Sequence, residues 1–81
     1  MVNVEVTDRQ SFAVFLRLLT QDLQTNPDAW ENRTLPDFLD AMSRYTEDVQ
    51  GYYDNLPSGL NADVPSWRLF ADILLGATVY E

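Results

Sequence analysis

Ser66-Trp67-Arg68-Leu69-Phe70-Ala71-Asp72-Ile73-Leu74-Leu75-Gly76-Ala77 opens on a helix-capping serine and then places apolar residues around most of a helical wheel. Trp67, Phe70, Ala71, Leu74 and Ala77 make one stripe, and Leu69, Ile73, Gly76 and Tyr80 make a second. Arg68, Asp72 and Glu81 alone keep this segment in contact with water. A helix with two apolar stripes is buried on two sides, so the C-terminal segment is expected to be the spine of an all-α core. What precedes it should supply a layer for each side.

Upstream, Phe12, Phe15, Leu16, Leu19 and Leu23 recur at helical spacing, with Val14 and Leu18 widening the stripe. Thr7 followed by Gln10 matches a capping box. Asn26-Pro27 ends the pattern, because the residue before proline disfavours helix. A first helix is therefore expected over about residues 8–25. Asn26-Pro27 also suits the start of one short turn, and Trp30 is the apolar anchor beyond it. Thr34 as cap, with Pro36 in the first turn, opens a second helix whose stripe is Leu35, Phe38, Leu39, Met42 and Val49. It is expected to run to about Gln50, with Gly51 as the residue that terminates it. Residues 52–65 hold one of the three glycines and two of the four prolines, which predicts a long loop and makes it the first place to seek a binding surface. At the N-terminus, Val2, Val4 and Val6 alternate with Asn3 and Glu5, yet no second run of that period offers a pairing partner. An extended, docked arm is expected. The predicted fold is all-α, with three principal helices around one aromatic-rich core in a single domain, 1–81, and a short N-terminal extended arm.

Composition bounds the chemistry. Eighty-one residues leave room for one modest core, and a hydrophobic share of 46 % with ten aromatics lies outside the regime of disordered chains. There is no cysteine and no histidine, which removes thiolate chemistry, disulfides, the usual general base and the commonest zinc ligand. Thirteen acids face five arginines with no lysine, for a net charge of −8. That balance argues against nucleic acid and anionic membranes and for a basic or neutral partner. The acid is densest in residues 27–50, which hold six acids and two arginines. The start, Met1-Val2-Asn3-Val4-Glu5-Val6, lacks the cationic and apolar regions of a signal peptide, and no apolar run approaches membrane-spanning length. The expected compartment is the cytoplasm.

Familiar site motifs fail on spacing. Read as an EF-hand from Asp54, the loop puts Leu56 where a ligand is needed and Pro65 where a bidentate Glu belongs. The carboxylate pairs Asp37/Asp40 and Glu47/Asp48 fall opposite the second helix's apolar stripe, where a solvated face is expected rather than an acid–base dyad. Arg44 lies between them at ion-pair spacing. The serines sit in no nucleophile elbow, and no glycine-rich phosphate loop is present. No catalytic residue, metal site or cofactor is implied. Trp67 and Phe70 fit the core. Tyr52 and Tyr53 are adjacent, so both cannot face inward in a regular element; an exposed tyrosine among acids suits an interface with a basic protein. The partner-binding residues expected on this reasoning are Tyr52, Tyr53, Asp54, Asp40, Glu47 and Asp48.

Three segments, Trp30-Glu31-Asn32-Arg33-Thr34-Leu35, Gly51-Tyr52-Tyr53 and Pro65-Ser66-Trp67-Arg68-Leu69-Phe70-Ala71-Asp72-Ile73-Leu74, together with Tyr80-Glu81, resemble a family of small, acidic, single-domain bacterial proteins of unknown function. The resemblance implies a bacterial origin and a compact helical domain, and brings no catalytic residue. From the residues themselves, Trp30-Glu31-Asn32 is expected to be structural, the indole filling a gap between helices while Glu31 or Asn32 satisfies loose backbone donors. The leading functional expectation is an acidic protein-binding module, in its most concrete form an immunity-type protein that neutralises a basic bacterial toxin. The alternatives are a homodimeric structural or regulatory subunit, and a hydrolase that uses carboxylates to hold a metal ion.

Overall fold

The computed structural model describes residues 2–81; Met1 lies outside them. In chain order the elements are α1 (Arg9–Thr25), a 3₁₀ turn (Pro27–Ala29), α2 (Leu35–Asp54) and α3 (Trp67–Ala77), with no strand among the described residues. α3 packs against both α1 and α2, while those two make no close backbone approach to each other. The two stripes of α3 divide as their spacing requires. Ala71 and Leu74 join Val2, Val6, Phe15, Leu19 and Trp30 in one buried cluster. Leu69 and Ile73 join Val49, Tyr53 and Tyr45 in the other. Val49, 1 % exposed, is the kind of aliphatic side chain whose burial stabilises a fold by about 1.5–3 kcal/mol.

The arm behaves as its alternation dictates: Val2 and Val6 are buried, Val4 is half-buried, and Asn3 and Glu5 are exposed. α1 begins one residue later than Thr7 implies. Asp8 is the cap, accepting from the Ser11 backbone N–H at 2.8 Å, while the Ser11 hydroxyl accepts from the Asp8 backbone N–H at 3.0 Å. The box is closed by a serine at the third helical position, so Gln10 plays no part. Thr34 and Ser66 cap α2 and α3 as expected, accepting from the backbone N–H groups of Asp37 and Leu69.

α2 does not end at Gly51. It continues to Asp54, because Tyr53 is buried against Val49 and Leu69, and that burial exceeds the roughly 1 kcal/mol that a mid-helix glycine costs. The loop is correspondingly shorter and is tied down. The Gln50 side chain donates to the carbonyl of Leu60 at 3.1 Å and accepts from the N–H of Ala62 at 2.6 Å. Leu60 and Ala62 then pack over the second cluster. Gly59, at φ 66°, supplies the left-handed turn on the way. At Gly76, a β-carbon would drive into the ring of Tyr45; glycine there is what lets α2 and α3 approach.

Candidate binding surfaces

The segment between the 3₁₀ turn and α2 is a clamp. Trp30 is buried, stacks on Phe38 with ring centroids 5.9 Å apart, and donates its indole N–H to Asp22 at 2.9 Å. That bond, with the Asn26 amide behind it, holds the Asp22 carboxyl below the ordinary carboxylate range. The backbone N–H groups of Glu31 and Asn32 both donate to the carbonyl of Thr78, at 2.9 and 3.1 Å. The Asn32 amide donates to the carbonyls of Ala77 and Tyr80, at 2.9 and 2.8 Å. Asn32 thus satisfies acceptors left over at the end of α3, not the donors that the sequence suggests, and it does so across more than forty residues of chain.

The acidic face lies on α2. Asp37, Asp40, Glu47, Asp48 and Asp54 are all exposed on its outer side. Arg44 is among them, but its guanidinium is engaged three ways. It pairs with Asp40 at 3.2 Å, donates to the Glu81 carbonyl at 2.6 Å, and lies 5.6 Å from the centroid of the Tyr80 ring. Spacing alone also offered it Glu47 and Asp48. The Tyr80 hydroxyl donates to Asp48, which raises the phenol above its usual range. The C-terminal residues are thereby drawn onto the face.

The two adjacent tyrosines separate. Tyr52 is 47 % exposed at the border of the acidic stripe. Tyr53 is buried, and its hydroxyl donates to Asp72 at 2.7 Å; burial first, and that bond second, push its phenol well above the ordinary value. Of the two tyrosines in the expected set, Tyr53 is therefore the one that faces inward and braces the surface from beneath. Asp54 is held by the Gln50 amide at 2.9 Å.

Apolar surface remains outside the core. Trp67 and Phe70, expected inside, are 38 % and 41 % exposed. They gather with Phe12, Trp67 at 5.4 Å and Phe70 at 6.5 Å between ring centroids. In α2's stripe, Leu35 and Leu39 are 69 % and 51 % exposed. The reason is architectural: with α1 and α2 each packed on α3 and not on each other, a groove of about 360 Å³ opens between them, lined chiefly by Leu16, Leu19, Leu23, Leu35, Phe38 and Leu74. The total surface, 5584 Å², exceeds the about 5,000 Å² typical of a chain this size. Nothing in the periodicity of either helix shows that the two stripes fail to meet. Among the described residues, no three carboxylates come together as a metal site requires, and no helix is long and apolar enough to cross a membrane.

Taken together, these features define a small all-α domain with an acidic helix face and an uncovered apolar groove. The chain belongs to the DUF7660 family, a family of unknown function, whose model matches residues 8–81, from the cap of α1 to the last residue. No match was found among curated proteins or among solved structures.

Proposed function

We propose that the protein is a protein-binding module of bacterial origin whose α2 face docks a basic partner, with an immunity-type neutraliser of a basic bacterial toxin as its most concrete form. The observation that supports this is the exposed run Asp37, Asp40, Glu47, Asp48 and Asp54, bordered by the half-exposed Tyr52. The one arginine among them is already engaged by Asp40, Tyr80 and Glu81. Such a face steers a cationic protein by long-range attraction, and a tyrosine at its edge supplies the desolvated anchor that charge alone lacks. The reading assigns no catalytic residue and no cofactor, and places the protein in the cytoplasm, with neither nucleic acid nor membrane as its target.

Capture from lysate of the source organism at low and at high salt tests it. A basic protein retained at low salt and lost as salt rises supports the reading; retention that ignores salt contradicts it.

The exposed side chains of Leu35, Leu39, Trp67 and Phe70 favour a second reading, self-association through the apolar faces. Light scattering separates the two, since a monomer at high concentration counts against the dimer.

A further inference from the structure

We infer that the groove between α1 and the start of α2 binds an apolar carboxylate of medium chain length, its hydrocarbon on Leu16, Leu19, Phe38 and Leu74 and its carboxylate on Arg33. The inference is independent of the acidic face of α2. A volume of about 360 Å³ holds roughly a dozen water-sized groups, the size of decanoate. In a chain with thirteen acids and five arginines, no carboxylate of the described residues lines this groove, and Arg33 is the charged residue among those that do.

The other polar groups along the lining are committed internally. The Thr20 hydroxyl donates to the Leu16 carbonyl, the Thr34 hydroxyl accepts from the Asp37 N–H, and the Asn32 amide is spent on α3. The Trp30 indole N–H is taken by Asp22. Arg33 differs. Its Nε donates to the Trp30 carbonyl at 3.1 Å, which holds the guanidinium at the mouth of the groove. Among the described residues, its terminal nitrogens meet only Asp28, at 3.7 Å, and that side chain is 99 % exposed. A pair so long and so wet contributes little and yields to a carboxylate placed in the fork. An apolar trough with one oriented cation and no anion selects a ligand that is apolar along its length and anionic at one end.

The test is a methyl-resolved NMR titration of the whole protein with decanoate, decanol and decyltrimethylammonium, each below its aggregation concentration. Decanoate is expected to give saturable shifts at Leu16, Leu19, Leu35 and Leu74, with decanol at least about tenfold weaker, as loss of a charge-assisted hydrogen bond entails. Arg33→Gln should remove that preference, and Leu16→Glu, at an exposed position, should abolish decanoate binding by placing a like charge in the trough. The cationic amphiphile is the stringent control, because non-specific adsorption to a chain of charge −8 favours it. The inference is overturned if decanoate gives no saturable shift at these leucines, if decyltrimethylammonium binds there as tightly, or if a folded Arg33→Gln keeps the preference for the acid.

Discussion

Replacing Asn32 by aspartate (Asn32→Asp) conserves shape and converts the side-chain NH₂ into an oxygen, so it isolates the clamp on the end of α3. Two donated bonds are lost, to the carbonyls of Ala77 at 2.9 Å and Tyr80 at 2.8 Å. Each neutral bond is worth about 1 kcal/mol net, and a buried acceptor left unsatisfied costs about 1–3 kcal/mol. Ala77 is fully buried, so its carbonyl has little recourse to water. The expected loss is about 3 kcal/mol at pH 7, against a total stability of about 4–12 kcal/mol for a chain of this length. Urea unfolding should show a lower midpoint at unchanged slope, and the melting temperature should fall by about 12–24 °C. The deficit should also depend on pH. A carboxyl facing two carbonyl oxygens has its folded-state pKa raised, because only its protonated form can donate; stability is then present below the unfolded value of about 3.9 and lost as pH rises through the folded one. Asn32→Ala, which removes the donors without adding charge, should cost less than Asn32→Asp at pH 7. A loss under about 0.5 kcal/mol for Asn32→Asp, within the range of ordinary surface changes, or a deficit identical at pH 4 and pH 7, would refute the clamp.

Gly76→Ala should destabilise by about 1–3 kcal/mol through overpacking against the Tyr45 ring, and Tyr45→Ala should absorb part of that cost in a double-mutant cycle measured by urea unfolding. Tyr53→Phe should cost about 1 kcal/mol at pH 7 by removing the bond to Asp72. Because the folded-state pKa of Tyr53 is raised, its contribution is complete below about pH 10 and is lost as pH climbs above that value; a melting-temperature series should show the wild type falling more steeply than Tyr53→Phe on that limb. Asp8 and Asp22 have lowered folded-state pKa values, by the Ser11 bonds and by the Trp30 and Asn26 bonds respectively. Their stabilisation is therefore present above the unfolded value of about 3.9 and lost as pH falls through the folded ones, and Asp22→Asn should flatten the acid limb of the same series.

What was legible in the sequence is what local rules govern. Thr34 and Ser66 announce two helix starts, Asn26-Pro27 stops α1, and the two stripes of α3 correctly place it between the other helices. The chain departs from its local pattern where a distant partner decides. Gly51 reads as a helix end until Tyr53 and Val49 are seen to bury against Leu69. Asn32 shows no local sign of reaching Ala77 and Tyr80. Leu35 and Leu39 complete a regular apolar stripe, and only the separation of α1 from α2 leaves them facing solvent. Of the candidate surface, Asp40, Glu47 and Asp48 fall on the exposed face of α2 because helical phase puts them there; Asp54 and Tyr52 join that face only because α2 runs on past Gly51, and Tyr53 turns inward.

Whether α2 presents its acids to a basic protein is tested most directly by the association rate of the captured partner with the wild type and with the Asp40→Lys, Glu47→Lys, Asp48→Lys triple variant, at two salt concentrations and with helicity checked by circular dichroism. The expected result is an on-rate about tenfold or more lower for the variant at low salt, converging with the wild type at high salt. A folded variant that associates as fast as the wild type at both salt concentrations would contradict the assignment of this face.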